Sequence, residues 1–134
     1  MAHKLDEIDH LLLLDRTRLT MSLSEFEIIR LKRLFNAYCE IRIPRELNTK
    51  LRLDYRIRGR HLTLYESRHH HEKVDLWYST AIARFEKDPH QQVWRLFSAD
   101  RNEDWLPYHP HPEDRDIERL LDCVTDDPTG IFWG

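Results

Sequence analysis

Apolar and polar positions alternate along this chain with two different periods, and the switch between them defines the elements. From Phe26, the residues Phe26, Ile28, Leu31, Leu34, Phe35, Tyr38 and Ile41 recur at helical spacing on one broad face. Glu25, Lys32, Arg33, Asn36 and Glu40 occupy the other side. Ser22 with Glu25, or Ser24 with Glu27, supplies a capping box for the first turn, and Pro44 ends the helix. The period then drops to two. Leu51, Leu53, Tyr55 and Ile57 alternate with Arg52, Asp54, Arg56 and Arg58. Gly59-Arg60 fits a two-residue hairpin turn with glycine first, where φ must be positive. That register opposes Ile57 to Leu62 and Tyr55 to Leu64, so one face is apolar. The other face carries the arginines with His61, Thr63 and Tyr65.

A polar loop from His69 to Asp75 leads to a third strand near Ser79 to Glu86. "DPHQQ", Asp88 to Gln92, turns the chain into a fourth strand, "VWRLF", and "ADRNED", Ala99 to Asp104, turns it into a fifth near Trp105 to Tyr108. Pro110 and Pro112 close the sheet. Pro112 suits a first helical turn, with Glu113, Asp114 and Asp116 at the positive end of the helix dipole. Ile117, Leu120, Leu121 and Val124 then fall at helical spacing. The expected fold is α+β, in two layers: an antiparallel meander of about five strands packed against an N-terminal and a C-terminal helix.

The chain closes on "DDPTGIFWG". Asp127-Pro128-Thr129-Gly130 has the residue order of a type I turn, which would return Ile131, Phe132 and Trp133 to the core. "SEFE" opening a helix, the "LRLDYRI" hairpin, an "ARF" strand, a "WRLF" strand, the "RDIERLL" helix and this ending occur in order. Together they resemble a family of small bacterial proteins catalogued only as a domain of unknown function. The resemblance covers roughly residues 22–134 and implies no activity, cofactor or catalytic residue. Members of that family commonly begin near the equivalent of Met21. Residues 1–21 are therefore read as a dispensable extension, in which Leu5, Ile8 and Leu12 can line one short amphipathic helix. Residues 22–134 are read as one domain.

Composition narrows the function classes. At 134 residues, with 40% hydrophobic and 34% charged residues, the chain fits a single globular core. The longest apolar run, Leu11 to Leu14, is far too short for a membrane span or a signal peptide. A cytoplasmic protein with two reduced thiols, Cys39 and Cys123, is expected. The net charge of -3 conceals an uneven distribution. Residues 30–68 hold eleven Lys and Arg against four Asp and Glu, and residues 100–127 hold ten acidic residues against three arginines.

Candidate chemistry is sparse. Only Gly59, Gly130 and Gly134 are glycines, which excludes glycine-rich phosphate loops, and no nucleophile elbow is present. His69 and His71, near Glu72 and Asp75, together with His109 and His111 are candidate metal ligands from two loops. Adjacent histidines in a loop seldom face one ion, and no HExxH or Cys/His spacing supports them. Arg52, Arg56, Arg58 and Tyr65 form the stronger group, and continued alternation adds Arg84, Arg95 and Phe97. Arginines contact phosphates, and aromatic rings stack on unpaired bases. The expected function is a non-catalytic binding or adaptor domain without a cofactor, engaging a protein partner or a second copy of itself. Nucleic-acid binding through the arginine-rich face is the alternative, and a metal-dependent hydrolase stands behind it.

Overall fold

The computed structural model of the chain describes residues 22–47, 49–70, 72–73 and 75–134. The proposed extension and His71 therefore lie outside the described residues. Helix α1 spans Glu25–Arg42 and a short 3-10 turn covers Arg45–Leu47. Six strands follow: β1 (Leu51–Arg58), β2 (His61–His69), β3 (Trp77–Lys87), β4 (Trp94–Ala99), β5 (Trp105–Pro107) and β6 (Glu113–Asp114). Helix α2 spans Ile117–Asp126. The chain is α+β. No helix among the described residues is long and apolar enough to cross a membrane.

Of the two capping boxes the sequence allows, the one at Ser24 forms. Ser24 Oγ accepts the Glu27 N–H at 3.1 Å and donates to Glu27 Oε1 at 3.2 Å. The helix stops at Arg42, because Ile43 precedes Pro44 and takes extended backbone at φ -108° and ψ 116°. Leu31 and Phe35 form its buried centre, flanked by Ile28, Leu34 and Tyr38. Phe26 and Ile41 do not join them, contrary to the sequence pattern, and are 77% and 83% exposed. Phe26 lies five residues before Leu31, about 140° around the helix. Ile41 lies six residues past Phe35, about 120° around it. The buried arc is narrower than the apolar pattern.

The strands pair antiparallel in the order β1-β2-β3-β4-β5, with β6 also on β4. Gly59 takes φ 57° in the first hairpin, and Ile57 faces Leu62 and Tyr55 faces Leu64 as the alternation requires. A bulge breaks the next ladder. Leu64 pairs with Ala83 and Tyr65 with Ala81, so Ile82 has no opposite residue on β2. The outer margin of β4 holds an interrupted strand. Phe97 pairs with Pro107 on β5 and Trp94 with Asp114 on β6, while the intervening loop is tied at Leu96, which accepts from the N–H of Tyr108 and donates to Pro112 O. The second helix therefore begins later than Pro112 suggests. Glu113 and Asp114 are strand residues, and Asp116 caps α2 by accepting the Glu118 N–H at 2.9 Å.

Both helices pack on one face of the sheet. Phe35 of α1 meets Phe85 at 5.3 Å and Tyr55 at 5.7 Å between ring centroids. Leu120, Leu121 and Val124 of α2 join the same cluster with Leu62, Leu64, Trp94 and Leu96. Each such burial is worth about 1.5–3 kcal/mol. Phe132 completes that core, its ring 4.9 Å from Tyr108, and Trp133 is half-buried. Ile131, expected beside them, is 50% exposed.

Candidate functional site

Cross-strand register places the sequence-predicted arginines on the face opposite the helices. Arg56 on β1 is level with Thr63 on β2, Arg84 on β3, Phe97 on β4 and Pro107 on β5. A second row runs from Arg58 through His61 and Glu86 to Arg95, and a third from Asp54 through Tyr65 to Ala81. Arg52, Ser67 and Ser79 make a fourth. Five strands thus contribute to one continuous surface.

Arginine and aromatic side chains alternate across it. The Arg52 guanidinium lies 4.0 Å from the centroid of Trp77, Arg56 lies 5.3 Å from that of Tyr65, and Arg84 lies 4.8 Å from that of Trp105. Stacking of this kind holds a guanidinium flat and leaves its outer face and its N–H edge presented. Thr63, between Arg56 and Arg84, is only 3% exposed. His69 packs edge-on to Trp77 at 5.0 Å, beside the Ser67–Ser79 hydroxyl contact of 2.8 Å.

Charge on this face is poorly balanced. Among the described residues no carboxylate pairs with Arg56, Arg58 or Arg84, and the buried Nε of Arg84 has no hydrogen-bond partner. The Asp54 carboxylate turns instead to the Tyr55 N–H at 2.7 Å. His61 lies within reach of these charges. Burial first, then the charge of Arg84 with those of Arg60 and Arg58, holds its imidazole below the ordinary value, against the pull of Glu86.

Arg95 stands apart. Its Nη1 donates to Asp88 Oδ2 at 2.7 Å and its Nη2 to Gln91 at 3.4 Å, which commits it to the β3–β4 turn. Alternation along the sequence does not reach Trp77 or Trp105. β3 starts two residues earlier than its apolar pattern, and the bulge resets which residues share the face.

The described histidines of this group are not brought to one point. His69 pairs with Trp77 at one end of β3, whereas His109 and His111 sit on the loop tied to Leu96, which is level with Phe85. Eight residues of strand separate these levels, about 26 Å. His70 Nδ1 accepts the N–H groups of Glu72 and Lys73, and His111 Nε2 bonds Asp114 Oδ2 at 2.9 Å. Among the described residues no cluster of three or more His, Cys, Asp or Glu side chains is arranged to hold a metal ion.

The tail is anchored by its own turn. Asp127 sits in the left-handed region at φ 39°, and its two carboxylate oxygens accept the N–H groups of Phe132 and Trp133. Gly130, just past Pro128, donates to Asp127 O at 3.0 Å and itself takes φ 72°. The Trp133 indole donates to Val124 O at 2.7 Å, and Arg42 lies 4.9 Å over its ring.

The hairpin, the strand carrying Trp94 to Phe97, helix α2 and this tail follow one another within a single stretch of chain. The model of the family described as a domain of unknown function, DUF3024, matches residues 23–134. The chain belongs to the DUF3024 family. No curated protein and no solved structure matches it. The DUF3024 match takes in every element described above, and residues 1–22 precede it.

Proposed function

We propose that this DUF3024 chain is a non-catalytic binding module that takes single-stranded nucleic acid on its open sheet face, the one that no helix among the described residues covers. One observation carries the reading: Arg56, Arg58 and Arg84, with no carboxylate partner among the described residues, share a face with three arginine–aromatic stacks. Unbalanced guanidinium groups attract phosphate, and half-buried planar groups such as Tyr65, Trp77 and Trp105 attract unpaired bases. A duplex offers its phosphates but keeps its bases stacked inside, so it satisfies half of the surface. The overall charge of -3 does not oppose this, because ten of the 24 acidic residues lie in positions 100–127 while residues 30–68 carry a local positive excess.

Titration of a fluorescent single-stranded oligonucleotide over a series of salt concentrations tests the reading. The wild-type chain should bind more tightly as salt falls. Replacing Arg52, Arg56 and Arg58 together with Gln should flatten the salt slope by about 0.7 for each phosphate no longer neutralised. Absence of binding by the wild-type chain at low salt would overturn the proposal. Loss of folding in the triple variant would instead assign these arginines an internal structural role.

A further inference from the structure

The two margins of the open face differ in charge. On the β1 side Arg56 and Arg58, without a carboxylate partner among the described residues, stand with Arg52 and Asp54. On the β5 side the turn at Asp100–Asp104 carries Asp100, Glu103 and Asp104 against Arg101, directly before Trp105. The Asp100 carboxylate is fixed there, accepting the N–H groups of Asn102 at 2.8 Å and Asp104 at 2.9 Å. A phosphate approaching that margin meets like charge. A neutral ring does not.

The same margin is built for a ring. Trp105 holds the Arg84 guanidinium at 4.8 Å, and Phe97 is the cross-strand neighbour of Arg84. Arg84 brings a polar atom, Nε, that is buried without a partner. Three inter-strand steps of about 4.8 Å, about 14 Å in all, separate β1 from β4, which leaves room for a strand of nucleic acid to lie between the margins.

We propose, resting on the single-strand reading above, that the face divides its ligand: Arg56 and Arg58 hold the phosphates, and the corner of Arg84, Phe97 and Trp105 takes one unstacked base. The base lies on the outer face of the Arg84 guanidinium, which Trp105 supports from below. The β1 arginines then set affinity and its salt dependence. The corner sets the preference for a strand that carries bases.

Binding of an oligothymidine strand and of a base-free deoxyribose-phosphate strand of equal length separates the two roles. The wild-type chain should favour the base-bearing strand by roughly 5- to 150-fold, the worth of one base–aromatic stack. Trp105→Ala should abolish that preference while leaving the salt slope unchanged. Arg84→Lys, which keeps the charge and loses the flat surface, should do the same and covers the case in which Trp105→Ala does not fold. Arg56→Gln with Arg58→Gln should weaken both strands alike and flatten the slope. An equal loss for both strands in the corner variants would overturn the division while leaving the single-strand reading intact, whereas equal binding of the two strands by wild type would overturn the division and the base half of that reading together. Failure of wild type to bind either strand would overturn both.

Discussion

The carboxylate of Asp127 accepts the backbone N–H of Trp133 at 2.9 Å with one oxygen and that of Phe132 at 3.1 Å with the other. A residue that ends helix α2 in the left-handed region thereby also fixes the returning tail. Phe132→Ala should destabilise the chain by about 3–5 kcal/mol, the range for a large buried aromatic. Asp127→Ala should cost about 2–3 kcal/mol, because two backbone donors would be left without their charged acceptor. Denaturant midpoints check both, alongside the mass in solution. A midpoint unchanged by Phe132→Ala, together with a fall in that mass, would make the tail a partner contact rather than part of the core.

Stability should fall on acidification, because several carboxyls are held low. Backbone donation from Gln91 first, then Arg95 and the N–H of His90, holds Asp88 at about 2. The Asp116 N–H, with His111 and against burial, holds Asp114 below its ordinary range. Burial pushes Glu27 up, but its contact with Lys87 and the Ser24 donors outweigh that and leave it lowered. A carboxylate held low in the folded chain stabilises it above the unfolded value of about 4, and the contribution drains away as pH drops through the folded value. The thermal midpoint should begin to fall below about pH 6.5, where the unfolded imidazole of His61 takes a proton that the folded one resists, and decline further as the carboxyls protonate towards about pH 2. Asp88→Asn should flatten the lower part of that decline, and an unchanged slope would contradict the assignment.

Neither thiol should behave as a nucleophile. Burial, then the nearby Asp54 charge, pushes Cys39 up to about 12, and burial with Asp126, Asp122 and Asp114 pushes Cys123 up as well. Both stay protonated at neutral pH, where only the thiolate reacts. Alkylation at neutral pH should be slow in the native chain, slowest at Cys39, and rapid once denaturant is added. Fast native labelling of Cys39 would show a charge environment other than the one described.

A chain beginning at Met21 should keep its fold, since Ser24 caps α1 by itself and the family match starts at residue 23. Its thermal midpoint should lie within a few degrees of the full chain, under about 1 kcal/mol. A larger drop would place Leu5, Ile8 and Leu12 in the domain.

Much of this architecture is legible along the chain because its causes are local. Gly59 sets the first hairpin, and once the turn is fixed every pair from Arg58 and His61 to Leu51 and Arg68 follows. Asp127, Pro128 and Gly130 mark the tail turn in the same way. The bulge at Ile82 leaves no such mark, since "AIAR" reads as ordinary alternation and the extra residue is simply buried. Strand β6 is hidden for a different reason. Glu113 and Asp114 have the composition of a helix start, and long-range bonds at Leu96 decide otherwise. The arginine side of the open face is readable from period two, but its partners are not. Arg52 finds Trp77 across two strands, and that proximity exists only after the sheet has formed.

Amide chemical-shift mapping reads which face of the sheet binds. Isotope-labelled protein titrated with a single-stranded oligonucleotide at low salt should show perturbations at Arg56, Thr63, Arg84 and Phe97, the residues of one row. The indole N–H signals of Trp77 and Trp105 should move with them. The indole N–H of Trp133, bonded to Val124 O on the helix side, should stay in place. Shifts confined to α1, α2 and the tail, with the Arg56–Phe97 row unchanged, would place the binding surface on the helices and contradict the open-face reading.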